Sequence, residues 1–81
     1  MKNISIYDNG GKTLDRITVI FDKEKRQTKD GIIYNCVVAS ENGSGIYLHS
    51  EAMKGRHLGK KIDFSKLSLP LQNKLLIELN K

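Results

Sequence analysis

The spacing of apolar residues changes once along this chain, and the change falls at its single proline, Pro70. Before Pro70 the apolar positions recur every second residue in short runs. After it, Leu71, Leu75, Leu76 and Leu79 recur at helical spacing, with Lys74 and Glu78 outside the stripe. A period of two describes strands with one buried face, and a period near 3.6 describes an amphipathic helix. The chain is therefore expected to fold as α+β: a small antiparallel sheet of four to five strands with one C-terminal helix packed across it.

The strands follow from the alternation. Asn3 to Tyr7 reads as the first, with Ile4 and Ile6 on one face. Arg16 to Phe21 reads as the second, with Ile17, Val19 and Phe21 alternating against Arg16, Thr18 and Ile20. Between them, Asp8-Asn9-Gly10-Gly11-Lys12 is turn chemistry, because Asp and Asn bond their own backbone and glycine accepts positive φ. Asp22 to Gly31 is polar throughout and reads as a solvated hairpin tip. Ile32 to Ala39 is the third strand. Its set Ile32, Tyr34, Cys36 and Val38 is wholly apolar and is expected to face the core, with Ile33, Asn35 and Val37 on the other side. Glu41 to Gly45 is a turn, Ile46 to His49 a fourth strand, and Lys60-Ile62-Phe64 a final edge strand. Ser65 or Ser68 is the expected helix cap, with Pro70 in the first turn, where proline is tolerated.

Eighty-one residues make one domain, spanning 1–81. So small a domain buries a modest share of its surface, so packing against further copies is expected, most simply as a homodimer. Cys36 is the lone cysteine, which rules out an internal disulfide and fits a reducing compartment. The first residues lack the apolar run of a signal peptide, and no segment reaches the ~20 apolar residues that cross a bilayer. A cytoplasmic protein without membrane contact is the expectation.

Charge concentrates the functional reading. Fourteen Lys+Arg stand against 9 Asp+Glu, a net charge of +5. Lys54, Arg56, Lys60 and Lys61 fall within eight residues, and no acid occurs between Glu51 and Asp63. Both histidines, His49 and His57, border or lie in this stretch, and Gly55 and Gly59 bracket Arg56-His57-Leu58. A cationic segment jointed by glycines suits an anion, above all a phosphate. Tyr47 or Tyr34 would stack on a base. Asp8, Asn9, Lys12 and Arg16 would add polar contacts and charge.

Other chemistries fit less well. Gly10-Gly11-Lys12-Thr13 looks like the end of a P-loop, but Ile6 stands where that motif needs glycine, and a strand follows where it needs a helix. Cys36, His49 and His57 lack the spacing of a zinc site. His49 or His57 with Glu51 would make an acid–base pair, yet Ser50 is the only nearby hydroxyl and nothing resembles a nucleophile elbow. Neither a catalytic residue, a metal nor a cofactor is expected.

Tyr7-Asp8-Asn9-Gly10-Gly11-Lys12-Thr13, then Asp15-Arg16, Thr18-Val19 and Phe21, resembles the start of a family of small proteins encoded by bacteriophages and prophages. His49-Ser50-Glu51-Ala52, Gly55-Arg56-His57-Leu58-Gly59-Lys60-Lys61-Ile62, Phe64, Leu67, and a terminal helix with Gln72 and Leu79 agree in order. The chain departs after Pro70, where Leu71 replaces an expected acidic residue. The resemblance implies a phage setting, in the cytoplasm of an infected bacterium, and supplies no chemistry of its own. Small phage accessory proteins often counter host defence. The combined expectation is a non-enzymatic anti-defence protein that binds and sequesters a phosphate-bearing nucleotide. Its site would comprise Arg56, His57, Lys60, Lys61, His49, Gly55, Gly59, Tyr47, Asn9, Lys12 and Arg16. The alternative is an inhibitor that binds nucleic acid or a host defence protein through the same cations used as an open surface. A third reading, phosphodiester cleavage through His49 and His57, would show as turnover.

Overall fold

A computed structural model describes residues 3–40 and 45–80. Among them five strands form one antiparallel sheet: β1 (Ile4–Asp8), β2 (Ile17–Thr28), β3 (Gly31–Ala39), β4 (Ile46–Ala52) and β5 (Lys60–Ile62). Their order across the sheet is β4-β3-β2-β1-β5. One helix, α1 (Leu69–Leu79), follows. This is the α+β architecture expected from the change of period at Pro70. The expected turn from Glu41 to Gly45 lies, but for Gly45, outside the described residues.

Register builds the core. Val37 pairs with Val19, Val19 with Ile6, and Ile6 with Ile62, so one apolar row crosses four strands. Ala39 and Ile17 form part of the next row on the same face. Leu71 and Leu75 of α1, with Leu67 just before it, close over these rows in a single cluster. Pro70 sits in the first turn as expected. Ser68 occupies the cap position, but its side chain makes no capping bond, and its carbonyl instead accepts the Gln72 N–H. The Gln72 side chain donates to the Leu67 carbonyl at 2.8 Å, which ties the helix start to the preceding turn.

Five expectations are corrected. The third strand faces the other way: Val37 and Ala39 meet α1, while Cys36 lies on the outer face with Ile20 and Leu58. Both faces of the central strands are covered, so counting apolar residues could not choose between them. The polar run from Asp22 to Gly31 is not a loop. β2 and β3 continue through it, with a register shift between Ile20 and Lys25, and only Lys29 and Asp30 form the tip. β4 likewise runs on to Ala52, and Phe64 enters a 3₁₀ turn rather than a strand. In α1, Leu76 is 40 % exposed and leaves the buried stripe, whereas Leu71 and Leu75 are at 1 % and 0 %.

Cys36 is buried even on the unexpected face, at 1 % exposure. Burial pushes its thiol up to about 11, and the charge of Glu51 acts in the same direction. The thiolate is the reactive form, so a thiol reagent at neutral pH should label the native protein far more slowly than the unfolded chain. Equal rates would place Cys36 in contact with water.

Candidate functional site

β4 ends at one edge of the sheet and β5 begins at the other, so residues 53–59 must cross the outer face. Leu58 is the only apolar residue between Met53 and Ile62, and it anchors the crossing by packing on Ile20 and Cys36 at 6 % exposure. Lys54 holds the start of this strap. Its Nζ lies 2.7 Å from Asp22 Oδ1 and 4.6 Å from the centre of the Tyr34 ring. The Ser5 hydroxyl donates to the other Asp22 oxygen at 2.8 Å. Burial raises the Asp22 pKa, but the bonds from Lys54 and Ser5 outweigh it and leave the carboxyl below its usual range.

The strap ends in a 3₁₀ turn, Arg56–Leu58, closed by the Leu58 N–H on Gly55 O and the Gly59 N–H on Arg56 O. Gly59 has φ +88°, and a Cβ there would stand 2.1 Å from the Asp8 carbonyl oxygen. Its glycine identity is thus set by the approach of its own chain. The bond to Arg56 also occupies the Gly59 N–H, so the donor expected for phosphate is already engaged. Gly55 lies in extended backbone.

Asp8 and Asn9 organise the neighbouring loop. Asp8 Oδ1 accepts the Gly10 N–H at 2.8 Å and Arg16 Nε at 2.7 Å. The Arg16 guanidinium holds the Asp8 carboxyl below its ordinary range, with burial opposing. Asn9 Oδ1 accepts the N–H groups of Gly11 and Lys12, and its Nδ2 donates to Thr13 and to the Asp15 carbonyl. The backbone donors of this glycine-rich loop face their own chain, so Asn9 and Arg16 shape the loop.

The remaining candidates do not converge. Lys60 pairs with Asp8 and Lys61 with Tyr7, so the two lysines leave β5 on opposite faces of the sheet. Tyr47 ends the row Lys61, Tyr7, Thr18, Val38, Tyr47, four strand spacings from Lys61, or roughly 19 Å. A register shift in β4 sets Leu48 and His49 opposite Val37, and His49 turns to the helix side. There it borders a depression of about 540 Å³ lined also by Phe21, Glu24, Asn35, Glu51 and Glu78. Glu51 pairs with Arg26 at 2.7 Å, and Asn35 donates to Glu24. With three carboxylates on its wall, this hollow disfavours a phosphate.

The exposed cations of this region are Lys12 on the loop after β1, Arg56 on the strap with His57 next to it in the turn, and Lys60 and Lys61 on β5 at the sheet edge. Among the described residues Lys12, Arg56 and Lys60 make no ion pair, and Lys61 stands within electrostatic reach of Asp22. The Lys54–Asp22–Ser5 chain and the acid-lined hollow escaped the sequence reading. Leu58, alone among polar neighbours, was the one visible sign that the strap is pinned to the sheet. No three His, Cys, Asp or Glu side chains among the described residues are placed to hold a metal, and no helix among them is long and apolar enough to cross a membrane.

No family model matches the chain, and neither does any curated protein or solved structure.

Proposed function

We propose that this protein is a non-catalytic binding module that holds the phosphate backbone of a nucleic acid along the β1–β5 edge and the strap. One observation carries the reading: Lys60 and Lys61 project from opposite faces of the edge strand, and Lys12 on the loop after β1 and Arg56 on the strap are exposed as well. Cations dispersed around an edge match successive phosphates of a polymer better than the single cluster on a nucleotide. The N–H groups of Gly10, Gly11, Lys12 and Gly59 are already bonded within the chain, which supports the same choice by withdrawing those donors from a single phosphate. Arg56 contributes a planar fork able to bind a phosphate in bidentate fashion, on a turn held rigid by Leu58 and closed by hydrogen bonds. The resemblance to phage proteins makes the setting infection, where occupying a nucleic acid, without cleaving it, would block a host defence complex that needs it.

Salt dependence tests this. About four phosphate contacts give a slope of log K against log salt near −3, from roughly −0.7 to −0.9 per contact. Arg56→Ala and Lys60→Ala should each weaken binding of a labelled oligonucleotide and flatten the slope by about one contact, while Lys25→Ala, on β2, should do neither. Tight binding of a mononucleotide with a shallow slope would return the sequestration reading. Binding of neither ligand would overturn both.

A further inference from the structure

All three tyrosines of the chain, Tyr7, Tyr34 and Tyr47, stand on the outer face of the sheet, whereas both phenylalanines, Phe21 and Phe64, pack on the helix side. Charge divides the same way. Glu24, Glu51 and Glu78 line the hollow on the helix side. On the outer face Lys61 and the strap's Lys54, Arg56 and His57 stand against one strand acid, Asp22, which Lys54 already holds at 2.7 Å. A polyanion bound at the β1–β5 edge is thus steered onto the outer face, away from the three carboxylates.

The three rings are not equally free. Tyr7 and Tyr34 pack against the cluster that holds Leu58, and Lys54 Nζ sits 4.6 Å from the centre of the Tyr34 ring. The strap leaves β4 after Ala52, opposite Tyr34, and meets the Asp8 backbone at Gly59. It therefore runs diagonally and leaves the corner at the start of β4 to Tyr47, which is 59 % exposed. An exposed tyrosine alone is ordinary. Tyr47 differs in closing a row that begins at Lys61, four strand spacings or roughly 19 Å away. One nucleotide cannot touch both ends of that row. At ~3.4 Å per stacked nucleotide the row spans about six nucleotides, and fewer of an extended strand, within the ~4–16 that single-strand-binding barrels cover. In a duplex the bases stack on one another, whereas each unpaired base offers its flat face to an aromatic ring.

We infer that the nucleic acid held by this protein is single-stranded, and that it passes from the cationic edge over the outer face so that one base stacks on Tyr47. This rests on the nucleic-acid reading above and adds the strandedness of the ligand and the side chain that selects it.

Fluorescence anisotropy tests this with a labelled single strand of about 12 nucleotides and with the duplex of the same sequence, over a series of salt concentrations. The single strand should bind at least about tenfold more tightly than the duplex. Tyr47→Ala should weaken single-strand binding by about 10- to 100-fold, the usual loss of one stacked base, and leave duplex binding unchanged. The slope of log K against log salt should stay at the parent's value, because stacking releases no counterion. Tyr47→Phe should bind as the parent does. Both variants should keep the parent's melting temperature, since the side chain is mostly in water. A duplex bound as tightly as the single strand overturns the inference and leaves the nucleic-acid reading standing. So does a Tyr47→Ala variant that binds the single strand like the parent, or a Tyr47→Phe variant that loses as much as Tyr47→Ala. A parent that binds neither oligonucleotide overturns that reading and the inference with it.

Discussion

Leu75→Ala should lower the unfolding free energy by about 2–5 kcal/mol, the range for emptying a fully enclosed leucine site. Leu75 is 0 % exposed and sits with Leu71 over Val37, Val19 and Ile6, where a cavity has no solvent to refill it. Domains of this size hold roughly 4–12 kcal/mol in total, so the variant should approach unfolding at modest temperature. Leu76→Ala, two-fifths exposed, is the comparison and should cost no more than about 1 kcal/mol. A denaturant melt in which the two variants lose equally would mean that α1 does not present Leu75 to the sheet.

Gly59→Ala is expected to cost at least ~3 kcal/mol, which adds a steric overlap to the strain of a left-handed backbone. The atoms a methyl group would meet are the Asp8 carbonyl oxygen at 2.1 Å, Asn9 Cα at 2.5 Å and the Asp8 carbonyl carbon at 2.6 Å. All three are backbone, in the segment that pairs with the start of β5, so the clash is relieved only by parting β1 from β5. Gly11→Ala is the comparison at a positive φ without the close approach. Gly11 has nearly the same φ, +87°, with nothing within 4 Å, so its alanine variant should lose only about 1–2 kcal/mol. Equal losses at the two positions in urea titrations would show that φ alone, and not close approach, fixes Gly59.

The same glycine shows where the sequence was legible and where it was not. A glycine that permits close backbone approach was readable at position 59, but the approaching group is Asp8 of the same chain. Sequence states what a glycine allows and not what arrives. Alternation in Ile4–Ile6 and Ile17–Phe21 placed both strands on the correct face, because the helix-side residues there are consistently apolar. In β3 it failed, because Leu58 covers the outer face and makes Cys36 as buried as Val37. That cover comes from a segment more than twenty residues later, which periodicity in β3 cannot register. The cations of residues 54–61 were visible as a run. Their dispersal was not, because it depends on β5 being a strand at the sheet edge and on β4 ending at the far one. His49 and Tyr47 look like neighbours of that run in sequence, and the crossing of the strap sends them to the opposite edge.

The position of β5 also has a kinetic meaning. The β2–β3 hairpin closes through a two-residue tip and needs only local contacts, whereas β5 brings Ile62 to Ile6 across most of the chain. Pairings of large sequence separation pay their loop entropy before any contact repays it, and they form late. The strap and β5 should therefore be the last pieces in place. Until they arrive, β1 is a bare strand edge and Ile20 and Cys36 are open to water, so the form most prone to aggregation is the one that lacks the cationic surface. The segment proposed to hold a partner is then also the lid that completes the sheet, and losing it would remove binding and solubility together.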